Sequence, residues 1–191
     1  MSKPKTRASY AKGVLDEVAH LDAAPRAAIR ASAGPSSIRR IEDAVNTEWI
    51  EAEAFDGLTE AIRKVLGDDG TRRLFRQLGR KLARAPALQS AIDALVRTFG
   101  LNPHTLLKFA PKGRAAMVLD SGSVTYTKKG AKVVDLVLEG YPASTFRNGT
   151  TTVLLAGTWE GILDLCQVEG TVVIAAEDLE LGNATWTISW S

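Results

Sequence analysis

The residues best able to do chemistry are few and scattered. The 191 residues hold one cysteine, Cys166, and two histidines, His20 and His104. A single thiol excludes an internal disulfide and any zinc site built from several thiolates. Two isolated histidines leave multi-histidine metal chemistry without ligands. His20 lies beside Leu21-Asp22, and a His–Asp pair can orient a general base. No motif, however, marks a serine or cysteine nucleophile for such a base to activate. Gly67-Asp68-Asp69-Gly70 lacks the Lys-Ser/Thr of a phosphate-binding P-loop. The expectation is therefore no catalytic residue, no metal and no cofactor, and a chain that is not an enzyme.

Two constellations point instead to binding. Arg72, Arg76, Arg80 and Arg84 recur at four-residue spacing, and Arg73 and Lys81 flank them. On a helix this spacing makes one slowly drifting stripe. Six cations on one face either form a solvated, locally paired surface or dock an acidic or phosphorylated protein partner. The second constellation is Gly157 and Gly161, four apart in a helical stretch. Small residues at that spacing either let another backbone approach closely or leave room for a ligand. Phe146, Leu154 and Trp159, with Tyr141 and Trp186, can wall such a ligand pocket. The same aromatic residues would serve equally well as ordinary core.

The elements that must position these residues fall into two textures. Residues 1–114 carry a charge balance of +7 and are rich in Ala, Arg and Leu, whereas residues 115–191 carry −5 and are rich in Val, Thr, Ile and Trp. The first composition favours helix, the second strand. Apolar periodicity predicts helices over about 8–21, 24–33, 36–47, 55–66, 71–84, 87–99 and 102–110. Gly67, Gly100 and Pro111 are the expected stops, and Pro86 breaks the chain at Ala85. Residues 1–7 are polar, basic and expected to be flexible. Residues 115–119, 124–128 and 133–138 read as strands, 151–168 as a helix, and 171–177 with 184–190 as a closing strand pair. In the last strand Trp186, Ile188 and Trp190 alternate with Thr185, Thr187 and Ser189, so one face is buried. The fold class is α+β, a single domain over 1–191 with a helical part at about 8–111 and a sheet-and-helix part at about 114–191.

The C-terminal stretch reads Leu-Leu-Ala-Gly-Thr-Trp-Glu-Gly-Ile-Leu-Asp-Leu-Cys from Leu154, then Val-Glu-Gly-Thr-Val-Val-Ile, and ends Trp-Thr-Ile-Ser-Trp-Ser. It resembles the end of the 4-vinyl-reductase-type small-molecule-binding domain, whose fold is shared with subunits of the TRAPP vesicle-tethering complex and related to haem-NO-binding sensors. Upstream, Trp49-Ile50, the Leu66-Gly67-Asp68 turn, Phe99-Gly100-Leu101-Asn102-Pro103 and Leu106-Leu107-Lys108-Phe109-Ala110-Pro111 resemble a family of uncharacterised myxobacterial paralogues with the same ending. The resemblance implies a helical layer on a twisted antiparallel sheet, with an apolar pocket between them. A haem-binding relative needs a proximal histidine and a Tyr-x-Ser-x-Arg motif. Residues 124–130 read Val-Thr-Tyr-Thr-Lys-Lys-Gly, which lacks that motif, and His104 is at best a lone ligand.

These readings converge on a non-enzymatic signalling or regulatory module. It binds a small apolar ligand through Phe146, Leu154, Gly157, Trp159 and Gly161, or a protein partner, or both. The alternative is a pure protein-interaction adaptor with a filled pocket, docking through Arg72, Arg73, Arg76, Arg80, Lys81 and Arg84. Nucleic acid is not an expected partner, because the sheet half is acidic and no recognition motif is present. No apolar run approaches the roughly 20 residues of a membrane-spanning helix, and no secretory signal is visible, so a cytoplasmic location is expected.

Overall fold

A computed structural model describes residues 3–82, 86–142, 146 and 148–191. Strand β1 (Lys5–Arg7) leads into helices α1 (Ala8–Ala19), α2 (Ala23–Ala33) and α3 (Pro35–Asp43). Strand β2 (Trp49–Glu51) precedes the long helix α4 (Ala52–Leu82), then α5 (Pro86–Phe99) and α6 (Pro103–Ala115). Strands β3 (Val118–Leu119), β4 (Ser123–Gly130) and β5 (Val133–Glu139) follow, then helix α7 (Thr150–Leu165) and strands β6 (Gly170–Asp178) and β7 (Asn183–Trp190). The architecture is α+β, as the change of texture along the chain predicts.

The main sheet is antiparallel with strand order β4-β5-β7-β6. Leu136 of β5 faces Trp186 of β7, which in turn faces Ile174 of β6. Ala184, Trp186 and Ile188 are buried, and the Trp186 indole N–H donates to the Thr152 carbonyl at 3.1 Å, which ties the sheet to α7. Trp190 departs from that pattern. It is half-buried and meets the His104 ring of α6 edge-on at 4.7 Å instead of α7. Helix α7 packs on α4 along one side and on β6 and β7 along the other, so it forms the middle layer. Its residues from Thr150 to Trp159 are all buried.

Three expectations need correction. Residues 5–7 are not a flexible tail: Thr6 is buried, and β1 joins β2 and β3 in a second, small antiparallel sheet. Trp49-Ile50 is thereby held in a strand as well. Pro111 does not end α6, which runs on to Ala115. A proline inside a helix forfeits one backbone donor; here the next turn is anchored by Arg114, whose guanidinium donates to the carbonyls of Ser121 and Gly122. The expected strand over 115–119 shrinks to Val118–Leu119 for the same reason. The break expected at Ala85 lies outside the described residues.

Gly67 is the helix stop that the sequence predicts, but the chain hardly interrupts itself there. Its φ of 67° is left-handed, a conformation glycine adopts without a β-carbon clash. The result is a kink that splits α4 into two arms. Asp68 starts the second arm and pairs back with Arg63 of the first at 2.6 Å. The first arm turns Phe55, Leu58 and Ile62 inward, and the second turns Leu74, Phe75 and Leu78 inward.

Candidate functional site

A cavity of about 120 Å³ lies where α1, both arms of α4, α5, α6 and α7 converge. Its wall is mainly apolar. Tyr10 comes from α1, Phe55 from α4, Leu106, Phe109 and Ala110 from α6, and Leu154, Leu155, Trp159 and Ile162 from α7. The α7 contributions recur at three- and four-residue spacing, which places them on one helix face. A cavity of this size suits a ligand about as large as benzene.

Most polar groups on the wall are occupied by the protein. The Thr59 hydroxyl donates to the Asp56 backbone carbonyl at 3.0 Å, and the Thr158 hydroxyl to the Leu154 carbonyl at 3.0 Å. The Arg114 guanidinium lies over the Tyr141 ring at 5.4 Å while holding Ser121 and Gly122. Burial holds its pKa below the ordinary arginine value. Burial also pushes the Tyr10 phenol well above its ordinary value.

Two wall groups differ. The indole Nε1 of Trp159 and the carboxylate Oδ2 of Asp56 are fully enclosed, with no hydrogen-bond partner among the described residues. Burial, reinforced by the carboxylates of Glu60 and Glu53, pushes the Asp56 pKa up to about 7. A buried polar group without a partner costs on the order of 1–3 kcal/mol. Both atoms are closed off from the cavity as well as from bulk solvent.

Leu154 and Trp159 stand on the cavity wall as expected, and Tyr141 joins them. Phe146 does not. It is fully buried behind Tyr141, with ring centroids 5.4 Å apart. Trp186 is also one layer back, edge-on to Trp159 at 6.3 Å. Gly157 and Gly161 belong to a different surface. A β-carbon on Gly157 would stand 2.3 Å from the Arg72 carbonyl oxygen, and one on Gly161 equally close to that of Arg76. The two glycines admit the α4 backbone, so they leave no room for a ligand.

The arginine stripe runs beside that close approach. Arg72 pairs with Glu160 at 2.7 Å and also donates to the Val172 carbonyl. Arg76 grips both oxygens of Asp164 at 2.6 and 2.7 Å, and Arg80 shares the same carboxylate at 2.6 Å. The Arg76 guanidinium, with help from Arg80, holds the Asp164 carboxyl below the usual carboxylate range. Lys81 pairs with the buried Glu17 of α1. Arg73 is exposed, and Arg84 lies outside the described residues. The stripe is thus half-exposed but largely spent on clamping α4 to α7 and α1.

Sequence reasoning missed Tyr10, Phe55, Asp56, Thr59 and Arg114 as wall residues. Asp56 carried a usable signal: it sits next to the apolar stripe of Phe55, Leu58 and Ile62, between Glu53 and Glu60. A carboxylate so placed borders the buried face and feels two like charges. Arg114 carried no such signal, because its burial depends on Pro111 failing to end the helix. His20 takes no part in the cavity, and its Nδ1 lies 2.6 Å from the Asp16 carbonyl. Cys166 caps α7, and burial raises its thiol pKa to about 11, which keeps it protonated and unreactive at neutral pH.

No family model matches the chain, and no curated protein matches it. Solved structures do. The unliganded Fe(II) H-NOX protein from K. algicida superposes with a TM-score of 0.67 at 9% identity, over 97% of this chain and 96% of that one. A mutant H-NOX from T. tengcongensis gives 0.62 at 10% identity, over 97% of each chain. An oxygen-binding H-NOX domain related to soluble guanylate cyclases gives 0.55 at 10%, over 96% of this chain and 92% of that one. At such identities the likeness establishes a shared fold.

The residues of this chain do not fit a haem. Among the described residues no histidine or cysteine stands on the cavity wall. His104, on α6, has both ring nitrogens engaged elsewhere, with the Tyr126 hydroxyl at 2.6 Å and the Ala131 carbonyl at 2.7 Å. A benzene-sized space is also far too small for a porphyrin. Among the described residues no group of three His, Cys, Asp or Glu is placed to hold a metal ion, and no helix is long and apolar enough to cross a membrane.

Proposed function

We propose that this chain is a non-enzymatic, cytoplasmic signalling or regulatory module that encloses a small, mainly apolar ligand in the cavity between α1, α4, α6 and α7. The observation that carries this is the cavity itself: a mainly apolar space inside a fold that the H-NOX neighbours also use. Protein interiors pack densely, and sizeable apolar voids lower stability, so a retained one is a candidate binding site. Its wall draws on most helices of the chain, so occupancy would bias their relative positions and give a partner something to read.

The role as a binder rather than a catalyst is supported by the inventory of the wall. Asp56 is the one wall group among the described residues with a pKa pushed close to neutrality, and no serine or cysteine stands with it there. A protein partner remains part of the proposal. An adaptor docking through the basic helix has less support, because Arg72, Arg76, Arg80 and Lys81 already have acidic partners within the chain.

The test is native mass spectrometry of the purified protein beside an Ala110→Leu variant. Ala110 is buried on the wall, so the added methyl groups project into the void. The wild type should retain a small ligand, or take up toluene added in its place, with one equivalent bound. The variant should melt at the same or a higher temperature and bind neither. Equal uptake by both proteins would refute the cavity as the site.

A further inference from the structure

The cavity wall holds a cation that the fold leaves without a counter-charge. Arg114 of α6 lies on it, and among the described residues no carboxylate pairs with its guanidinium. Resting on the cavity reading above, we propose that the ligand is a small apolar monocarboxylate. Its anionic end lies beside Arg114, and its hydrocarbon body occupies the space lined by α6 and α7.

The seam between α4 and α7 supplies the contrast. Arg72, Arg76 and Arg80 each meet a carboxylate, although Arg76 and Arg80 are exposed, where water screens charge in any case. Arg114 is partly buried, and its partners are the Ser121 and Gly122 carbonyls and the Tyr141 ring. These groups orient the guanidinium but do not cancel its charge. The titratable groups that act on it are the phenols of Tyr141 and Tyr10, both on the same wall, and phenols are neutral at pH 7. Asp56, the carboxyl on the wall, is not among them; the charges it feels are those of Glu60 and Glu53. An enclosed cation without an anion is costly, and arginine does not shed its proton. A ligand that brings an anion offsets that cost. Charge acts across several ångströms of low-dielectric interior, so this selection needs no single aligned hydrogen bond. Phe109, Leu155 and Ile162 on the same wall set the second condition, an apolar body. Arg114 is the one cation among the described wall residues, so a monoanion matches it and a dianion leaves a negative surplus.

The probes are benzoate, benzamide and benzamidinium, one shape at three charges. Each is titrated calorimetrically at pH 6, where Asp56 is mostly protonated, into the wild type, Arg114→Gln, Arg114→Lys and Ala110→Leu. The wild type should bind benzoate about five- to tenfold more tightly than benzamide, the margin of a charge-assisted over a neutral pairing, and benzamidinium least. Arg114→Lys should keep that order, and Arg114→Gln should bring benzoate level with benzamide or below it. Ala110→Leu should bind none of the three, which separates the cavity from exposed lysines. The proposal is overturned if the wild type binds the three alike or prefers benzamide or benzamidinium. It is equally overturned if Arg114→Gln keeps the benzoate preference or Ala110→Leu keeps benzoate. Should Arg114→Gln fail to fold, the order of the probes on the wild type decides. Toluene uptake without a benzoate preference leaves the apolar-cavity reading intact, and binding of neither toluene nor benzoate sinks both.

Discussion

Helix α7 carries two surfaces that obey opposite rules. Toward the second arm of α4, Gly157 and Gly161 bring backbones into contact, and Glu160 and Asp164 accept from Arg72, Arg76 and Arg80. On that side neither glycine has room for a β-carbon, and each of these carboxylates has a cationic partner. On the cavity side the same helix lines an apolar space with Leu154, Leu155, Trp159 and Ile162, and the Trp159 donor has no partner among the described residues. The seam is optimised for holding the fold together. The cavity gives up packing and hydrogen bonds. Local departures of that kind, within an otherwise consistent structure, mark places where something other than stability was kept.

The sharpest way to break this comparison is to overpack the seam. Gly161→Leu must push aside the α4 backbone itself, because a β-carbon would already lie 2.3 Å from the Arg76 carbonyl oxygen. We expect a loss of about 3 kcal/mol or more in urea melts, the upper range for overpacking. Ala110→Leu on the cavity side should cost nothing. Equal penalties would mean that the two surfaces are not different.

The next effect is electrostatic and belongs to the cavity. The Asp56 pKa in the folded protein, about 7, lies above its unfolded value. Stability from the protonated form is fully present below pH 4 and is lost as pH rises toward 7. Asp56→Asn removes that loss. It should stabilise the protein by roughly 2–4 kcal/mol at pH 8, at 1.36 kcal/mol per pKa unit, and by nearly nothing at pH 4. A gain independent of pH would show that burial of the charge is not the cause.

The smallest effect belongs to the seam's polar rim. Arg76→Gln leaves Asp164 with Arg80 alone and should cost about 1 kcal/mol at pH 7, since the pair is partly exposed. The Asp164 pKa is depressed, so this stability is present above its unfolded value near 4 and fades as pH falls below it. The penalty should also shrink in high salt. A penalty that persists at pH 2 would assign the role of Arg76 to packing.

The sequence made the layers legible but not the allocation of surfaces. The alternation of Trp186 and Ile188 foretold a buried sheet face, and the Gly67 stop marked the kink. Strand β1 was illegible because Lys5-Thr6-Arg7 has no periodicity to read; it exists through pairing with β2, over forty residues away, and with β3. The role of Gly157 and Gly161 was undecidable on local grounds, since a small residue makes room equally for a backbone and for a ligand. The arginines were conspicuous, but Glu160 and Asp164 lie 84 to 88 residues further along the chain. Phe146 was misplaced by one layer, a distinction that aromatic composition cannot make.

Xenon binding tests the central claim, a real apolar space on one side of α7, most directly. Crystals of the wild type pressurised with xenon should show the gas bound among Phe109, Leu155 and Trp159, and Ala110→Leu crystals should not. An absence of xenon from that region of the wild type, with side chains closed across it, would contradict the account.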